Sequence, residues 1–296
     1  MSVSTSQQIA RFFDEFSSQE VTFTKDVIRA TMLYPKQVFL KILGYQFPCI
    51  IYSSSLVSAK VIVNFHEGLK ETLRKSNNLC SLRFSFIQRD KPDPLSFFVS
   101  GKVTGITPYG EKKPELHFLS IQYTQRPPDD LIEVLGGLLE ANINSKRRKE
   151  ERIIVTNDTV RKLGLAGKGG VVVVDGIPRK CILRDVSFSG AKVIILGVAK
   201  FIVDKAATLK IEILEPSEVV EVPGKIIRFE SVEGRSDIAA FAMRFDEDKV
   251  PMEYKMRLNN YLRGVRKAPT SKDAPASAPD RKGGGGGGAQ RRYRRR

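Results

Sequence analysis

Two series of short alternating segments constrain the fold of this chain more than any other feature of its sequence. Within each segment apolar side chains alternate with polar ones, which is the period of a β-strand that buries one face. Gly, Pro, Asn and Asp separate the segments, and no long helical pattern interrupts either series. Strands joined in this way predict antiparallel sheets, either closed into small barrels or packed as sandwiches.

The strand predictions rest on Val, Ile, Phe and Thr content as well as on the alternation. The first series starts at Val38 and reads QVFLKILGYQFPCIIYSSS (two strands that turn near Gly44), AKVIVNF, SLRFSFIQRD, LSFFVSGKVTGITPY and ELHFLSIQYTQ. The second series reads RIIV, GGVVVVD, IPRKCILRD, AKVIIL, TLKIEIL, SEVVEVPGKIIRF and DIAAFAMRF. A chain of 296 residues can bury two cores, so we expect two domains.

Short helices are predicted around the two β-regions. Residues 5–17 carry an apolar stripe, which either covers a core or binds a partner protein. The segment RPPDDLIEVLGGLLEANIN has prolines and aspartates suited to a first helical turn, and its Gly136–Gly137 pair permits either close packing or a kink. A last helix, VPMEYKMRLNNYLRG, closes the second domain. Its candidate inward positions are Met252, Met256, Leu258 and Leu262.

These patterns divide the chain into parts. Residues 1–142 form a first domain with an N-terminal helix and a β-barrel, and residues 143–156 form a linker. Residues 145–262 form a second β-barrel domain. Residues 266–296 form a tail of Pro, Ala, Ser, Gly and Arg that cannot offset the entropy cost of folding. The predicted fold class is mainly β: two small antiparallel β-barrels of the six-stranded type in tandem, with short peripheral helices and a disordered basic tail.

The positive charge of the chain is unevenly distributed. The net charge is +16, and the stretch from Arg263 to Arg296 holds eleven Lys and Arg residues against two Asp, which is more than half of the excess. The remainder of the chain is therefore only mildly basic. The tail is either solvated or binds nucleic acid or an acidic partner through its arginines, with Tyr293 available to stack on a base.

Several functional classes are disfavoured by composition. Cys49, Cys80 and Cys181 lie among apolar residues without C-x-x-C spacing, which predicts buried, reduced thiols. We find no metal-ligand set, nucleophile–base pair or cofactor fingerprint, and we interpret the stretch GLAGKGG as a hairpin loop, so we expect no enzyme. The N-terminus lacks a signal-peptide core, and no run reaches the roughly 20 apolar residues of a membrane span. We therefore expect a cytoplasmic protein.

An arginine cluster lies where the predicted first domain ends. The segment SKRRKEER places Arg148 and Arg152 four residues apart, with Arg147 beside them. A guanidinium group forms paired hydrogen bonds with phosphate oxygens and with the O6/N7 edge of guanine. In an extended strand or in a helical turn, this spacing puts Arg148 and Arg152 on one side. Taken alone, the cluster is equally explained as a charged linker.

A second polar motif follows in the predicted second barrel. The segment DVSFSG places Asp185, Ser187 and Gly190 in the pattern D-x-S-x-x-G. The alternation predicts that Asp185 and Ser187 share a polar face, while Phe188 points to the core. A carboxylate accepts hydrogen bonds from the guanine N–H groups, and a hydroxyl donates or accepts beside it. Gly190 can adopt positive φ and lets a ligand approach the backbone. Taken alone, the motif is also typical of an Asx-turn.

In this order, and within a β-rich domain of this length, the two motifs resemble the signature of the PilZ family. PilZ domains are small six-stranded β-barrels that bind the bacterial second messenger cyclic di-GMP, and the resemblance covers about residues 145–262. It implies that Arg148 and Arg152 hold phosphates and guanine edges and that Arg147 adds a contact or a stacking surface. It also implies that Asp185 and Ser187 bind guanine edges and that Gly190 allows the close turn.

The resemblance implies a bacterial receptor for which cyclic di-GMP is a ligand and no cofactor is needed. The first domain is similar in position and β-pattern to the PilZ-like domain of two-domain receptors of the spirochaete and flagellar-brake type. Nucleotide binding at the linker and barrel is expected to alter the domain arrangement and the interaction with a protein partner. The alternatives are a nucleic-acid-binding β-barrel protein that uses its basic surface and Arg-rich tail, and an adaptor whose PilZ domain is structural. The partner and the output, such as motility or virulence, stay open.

Overall fold

The computed structural model describes residues 5–88, 91–196, 199–215, 217–232 and 234–267. Its strands form two antiparallel sheets, one in each half of the chain. Each sheet encloses its own apolar core. The disordered tail predicted over residues 266–296 falls outside the described residues, except that the last helix includes the first two of them.

The first sheet closes into a barrel. Its strands are β1 (Val21–Thr22), β2 (Phe39–Ile42), β3 (Tyr45–Ser54), β4 (Ser58–Asn64), β5 (Leu79–Phe86), β6 (Leu95–Pro108) and β7 (Leu116–Tyr123). Six of them follow the order β3-β2-β5-β6-β7-β4, and the pairing of β4 with β3 closes the ring. The short strand β1 is not part of this ring and pairs with the end of β3.

The second sheet closes in the same way. Its strands are β8 (Ile153–Ile154), β9 (Gly169–Val174), β10 (Ile177–Val186), β11 (Gly190–Leu196), β12 (Ala206–Ile213), β13 (Glu218–Val232) and β14 (Arg235–Phe245). The ring order is β11-β14-β13-β12-β9-β10, with β10 pairing back to β11, and the short strand β8 adds to β10. The prediction of two six-stranded antiparallel barrels in tandem is confirmed.

The helices lie on the outside of the barrels. They are α1 (Ser6–Phe16), α2 (Lys25–Thr31), α3 (Glu67–Lys75), α4 (Asp129–Arg147), α5 (Asn157–Leu163) and α6 (Met252–Lys267). Helix α1 buries Ile9, Phe12 and Phe16 in the first core, so its apolar stripe covers that core. A Cβ atom on Gly136 would lie 2.4 Å from the Phe12 ring, so the glycine lets α4 pack closely against α1.

Helix α6 contacts both cores rather than one. Leu258 and Leu262 are buried in the second core, as predicted, but Met252 and Met256 pack against the first core. The prediction that all four side chains point into the second barrel is therefore half wrong. The reason is that α6 lies between the barrels and has an apolar residue on each side.

The first elements of the two barrels repeat in the same order at an offset of 132 residues. Helix α2 begins at Lys25 and α5 at Asn157, β3 begins at Tyr45 and β10 at Ile177, and the same offset relates β4 to β11. Strand pairing repeats as well, because β1 joins the end of β3 and β8 joins the end of β10. Equivalent positions of the two barrels can therefore be compared residue by residue over this part of the fold.

The segment GLAGKGG is not the hairpin loop that the sequence indicated. Gly164 ends helix α5 with φ of 66°, which is the left-handed conformation that glycine adopts readily. Leu165 then forms an isolated bridge to Ile213, and β9 starts at Gly169. The segment therefore connects a helix to a strand. The sequence analysis did not predict α5, because its seven residues are too few to show a helical period.

Candidate functional site

The arginine cluster spans the end of a helix, a turn and the start of a strand. Arg147 is the last residue of α4, and the Arg148 N–H donates to the Asn144 carbonyl at 2.9 Å. The Glu151 N–H donates to the Arg148 carbonyl at 3.1 Å, and β8 begins at Ile153 directly after Arg152. The segment is thus neither wholly extended nor a single helical turn, so the face shared by Arg148 and Arg152 does not follow from their spacing.

Strand pairing brings the two sequence motifs together. Ile154 of β8 pairs with Asp185 of β10, which places the preceding Arg152 beside the Asp185 side chain. The Arg152 Nη1 atom lies 2.5 Å from the Asp185 Oδ1 atom, and the side chains are 41% and 18% exposed. A register shift between β10 and β11 lies at Asp185, where a bulge is expected to redirect a side chain. One residue of each motif therefore contacts the other in an ion pair at the barrel surface.

The serine of the second motif lies inside the turn. Ser187 is fully buried, and its Oγ accepts from the Gly190 N–H at 3.1 Å and donates to the Gly190 carbonyl at the same distance. The main-chain N–H of Ser187 also donates to the Gly190 carbonyl, at 2.8 Å. The expectation that Ser187 shares a polar face with Asp185 is wrong, because β10 ends at Val186 and the turn that follows buries the serine. Its hydroxyl fixes the shape of the turn.

Gly190 is required by close strand packing rather than by its φ angle. It is not among the residues with positive φ, so the expectation of a left-handed conformation is wrong. A Cβ atom at this position would lie 2.2 Å from the Met243 carbonyl oxygen of β14. Real Cβ atoms do not approach an oxygen so closely, and any other residue would separate β11 from β14 or distort the turn.

Further hydrogen bonds join the arginine segment to the turn. The Ser189 Oγ donates to the Lys149 carbonyl at 2.8 Å and contacts the Glu150 Oε1 at 3.2 Å. The Lys149 Nζ lies 2.7 Å from Glu247, just beyond the end of β14. Sequence reasoning missed Ser189 and Lys149, although both lie inside the two motifs. Together with the pair formed by Arg152, these contacts hold the segment against the barrel.

The guanidinium groups of the other two arginines of the cluster do not take part in these contacts. Arg147 is exposed and Arg148 is half-buried. Over the described ranges neither guanidinium has an ion-pair or hydrogen-bond partner. The site therefore offers two free guanidinium groups next to a paired guanidinium and carboxylate, an arrangement suited to a ligand with both anionic groups and N–H donors.

A buried tyrosine of α6 holds the turn that contains Ser187 through a hydrogen bond. The Tyr254 hydroxyl of α6 donates to the Ser187 carbonyl at 2.9 Å, and the Tyr254 ring meets the Phe245 ring edge-on. Burial raises the pKa of Tyr254, and the nearby Asp185 carboxylate raises it further. The tyrosine therefore stays neutral and keeps donating its hydrogen bond. Helix α6 is in this way connected directly to the second motif.

Other groups examined as candidate sites show no comparable arrangement. Burial raises the pKa of Cys49 and Cys80 to about 12 and that of Cys181 to about 11, so the thiols are protonated at neutral pH. Within the described ranges, no three His, Cys, Asp or Glu side chains are grouped so as to hold a metal ion. None of the helices in these ranges has the length and apolar character needed to cross a membrane.

Comparison with known proteins agrees with this architecture. The PilZN3 domain family matches residues 7–142, and the PilZ domain family matches residues 146–264. A protein of Treponema denticola named cyclic di-GMP binding protein is 42% identical over 293 residues, which cover 94% of this chain and 93% of that protein. The chain therefore belongs to the PilZ family, and it carries a PilZN3 domain before its PilZ domain.

Solved structures with similarity to this chain include two complexes with c-di-GMP. The Borreliella burgdorferi PlzA protein in complex with c-di-GMP is 25% identical, with 86% of this chain and 98% of that chain covered and a TM-score of 0.39. Escherichia coli YcgR in complex with c-di-GMP is 12% identical, with 82% and 88% covered and a TM-score of 0.27. The nucleic-acid-binding alternative finds no support in these comparisons.

Proposed function

We propose that this chain is a receptor for cyclic di-GMP. The proposed site consists of Arg147, Arg148, Arg152, Asp185, Ser187 and Gly190. The observation that carries the proposal is the contact between Arg152 and Asp185, because it joins the two halves of the PilZ signature at one surface. The name of the Treponema denticola relative supports the choice of ligand.

The arginines account for the anionic part of the ligand. Cyclic di-GMP carries two phosphodiester groups, and the free guanidinium groups of Arg147 and Arg148 can each form paired hydrogen bonds with phosphate oxygens or a guanine edge. Arg152 uses one nitrogen for Asp185 and keeps further N–H donors on a side chain that is 41% exposed. Arg152 can therefore bind the nucleotide without releasing Asp185.

The carboxylate and the turn account for guanine recognition. Asp185 accepts hydrogen bonds from the guanine N–H groups, and its ion pair with Arg152 orients the carboxylate. Ser187 acts indirectly in this proposal, because its buried hydroxyl holds the turn that follows Asp185. Gly190 keeps β11 close to β14 and leaves a surface without a side chain next to the site. Two of the six residues thus shape the site rather than contact the ligand through a free polar group.

We further propose that the nucleotide alters the arrangement of the two barrels. The connecting segment, residues 143–156, includes the last turn of α4, where Asn144 Nδ2 donates to Asn259 Oδ1 of α6 at 2.7 Å. Asn259 is fully buried and donates in turn to Glu140 at 3.0 Å. Ligand contacts at Arg147 and Arg148 would pull on the end of α4 one turn beyond this buried pair. The bound state then favours a different packing of α4 on α6.

Small-angle scattering tests this coupling. We expect the radius of gyration to change when a saturating concentration of cyclic di-GMP is added to the full chain. An unchanged scattering profile at saturation would contradict domain rearrangement and leave binding itself intact.

In this proposal the protein is a binding protein that acts on a partner rather than an enzyme. The doubly charged nucleotide cannot cross an apolar bilayer unaided, so we propose that it is sensed in the cytoplasm. The partner would recognise the arrangement of the barrels that the nucleotide favours.

Calorimetric titration tests the proposed ligand. We expect heat of binding with cyclic di-GMP at tens of micromolar protein and roughly tenfold weaker binding by Asp185→Ala, because a charge-assisted hydrogen bond contributes about 1.5–3 kcal/mol. Cyclic di-AMP is the matched control ligand, since it carries the same phosphates without the guanine N–H donors. Absence of heat with the wild-type protein, or equal binding of both nucleotides, would contradict the proposal.

A further inference from the structure

The turns of the two barrels have the same hydrogen bonds at equivalent positions. In the first barrel the Ser58 N–H donates to the Ser55 Oγ at 3.0 Å and the Ser55 N–H donates to the Ser58 carbonyl at 2.8 Å. In the second barrel Gly190 and Ser187 form the same two bonds at 3.1 and 2.8 Å. Ser55 is therefore the counterpart of Ser187, and Ser58 is the counterpart of Gly190.

Strand register extends this correspondence to the neighbouring strand. Ser58 pairs with Gln122 of β7, and Gly190 pairs with Arg244 of β14. Both side chains are exposed on the outer face, because their neighbours along the strand are buried in the core. Arg244 in the second barrel therefore occupies the position of Gln122 in the first barrel, directly beside the turn.

The two equivalent side chains are used differently. The Gln122 Nε2 donates to the Val57 carbonyl at 2.9 Å, so the amide closes back onto the turn of its own barrel. The Arg244 side chain has no ion pair or hydrogen bond to any described residue. The position whose side chain is hydrogen-bonded within the first barrel thus carries, in the second barrel, a guanidinium group without a partner in the described part of the chain.

Other contacts place Arg244 next to the arginine segment. The following residue, Phe245, donates its main-chain N–H to the Ser189 carbonyl at 2.8 Å. Lys149 reaches Glu247, just after β14, at 2.7 Å. The segment that carries the proposed ligand-binding arginines therefore crosses the end of β14 close to Arg244.

A neighbouring lysine provides a contrast. Lys192 of β11 has a lysine counterpart in the first barrel, Lys60, at the same offset of 132 residues. The Lys192 Nζ is already paired with Glu230 at 2.6 Å. Because both barrels carry a lysine at this position and Lys192 is already paired, this lysine does not distinguish the second barrel from the first. Arg244 does, because its side chain has no partner among the described residues and its counterpart, Gln122, is neutral.

We propose that Arg244 is a further ligand-binding residue, which contacts a guanine of cyclic di-GMP lying against Gly190. This inference rests on the proposed function. Gly190, which pairs with Arg244 across the two strands, adds no side chain to the outer surface between the turn and the guanidinium, so a planar base can approach the backbone there. The planar fork of Arg244, at the edge of this surface, suits the O6 and N7 atoms of guanine.

Titration calorimetry of full-length variants tests the proposal. We expect Arg244→Gln, which installs the first-barrel residue, to raise the Kd for cyclic di-GMP about tenfold. Arg244→Lys keeps the charge and loses the fork, so its Kd should also rise. The matched control is Lys180→Gln, which removes an exposed cation of the same barrel about 17 Å from Asp185 along β10. Its Kd should stay at the wild-type value.

The outcomes separate this inference from the proposed function. If Arg244→Gln and Arg244→Lys bind like the wild type while Asp185→Ala is weakened, Arg244 is not a ligand contact and the receptor function stands. If the wild type does not bind, the proposed function fails and the inference fails with it. Thermal unfolding of each variant verifies folding, and Arg244→Lys, the smaller change, decides the test if Arg244→Gln does not fold. If Lys180→Gln weakens cyclic di-GMP binding equally, the effect arises from the change in net charge and the inference is overturned.

Discussion

The two barrels of this chain have the same framework and different chemistry at one equivalent surface. Arg152 and Asp185 form an ion pair in the second barrel, whereas Glu20 and Ser53 stand at the same positions in the first. The buried Phe16 occupies the position of Arg148. The serine turn is present in both barrels, so the turn belongs to the fold and the charged side chains define the candidate site.

The support of the turn also differs between the barrels. The Ser55 carbonyl of the first barrel accepts a hydrogen bond from Ser54 Oγ at 2.9 Å, so the first turn is held by its own strand. The Ser187 carbonyl of the second barrel accepts from Tyr254 of α6. Helix α6 also packs on the first core through Met252, so this hydrogen bond connects the second turn to the other barrel. This difference is consistent with a site at which nucleotide binding changes the arrangement of the two barrels.

The largest effect is expected from removing the arginines that only the second barrel carries. The double variant Arg148→Ala/Arg152→Ala should weaken cyclic di-GMP binding at least roughly a hundredfold, since each lost charge-assisted contact costs about 1.5–3 kcal/mol. Calorimetric titration measures this loss. The first-barrel variant Glu20→Ala serves as the control and should bind like the wild type. Comparable weakening by Glu20→Ala would mean that the two barrels are not functionally distinct.

A smaller effect is expected from giving the second turn the residue of the first. Gly190→Ser forces a side chain against the Met243 carbonyl, so overpacking should lower the free energy of unfolding by roughly 1–3 kcal/mol. Urea unfolding measures the change. The reverse variant, Ser58→Gly, should cost less than about 1 kcal/mol, because it removes a side chain without creating a clash. Wild-type stability of Gly190→Ser would show that close packing is not the reason for glycine.

The smallest effect is expected from releasing the second turn from α6. Tyr254→Phe keeps the ring and leaves the buried Ser187 carbonyl without its donor, which should lower the free energy of unfolding by about 1 kcal/mol. The matched variant in the first barrel is Ser54→Ala. Scattering in the presence of nucleotide distinguishes the two variants, since only Tyr254→Phe should reduce the ligand-induced change. An equal reduction in both would contradict a specific role for α6.

The sequence predicted the barrels because strand alternation and turn residues are local signals. It also located Arg152 and Asp185, because both lie in short motifs. It did not predict that Ser187 is buried, since β10 ends at Val186 and strand alternation no longer applies in the turn that follows. The close packing of Gly190 against Met243 was not predicted either, because Met243 is distant in sequence and close only across the sheet.

Local sequence patterns could not predict features that depend on contacts between residues far apart in sequence. The two-sided packing of α6 requires knowledge of where the first barrel lies. Arg244 has no motif of its own, and it becomes a candidate only when the register of β14 against Gly190 is compared with the register of β7 against Ser58. The offset of 132 residues between the barrels is present in the sequence, but the different side chains at equivalent positions hide it.

Hydrogen exchange measured with and without cyclic di-GMP tests the central claim most directly. The account predicts that the nucleotide slows amide exchange in residues 147–152 and 185–190 of the second barrel. It predicts no slowing in the equivalent residues 15–20 and 53–58 of the first barrel. Equal protection of both barrels, or protection confined to the first, would contradict the claim that one barrel carries the nucleotide site.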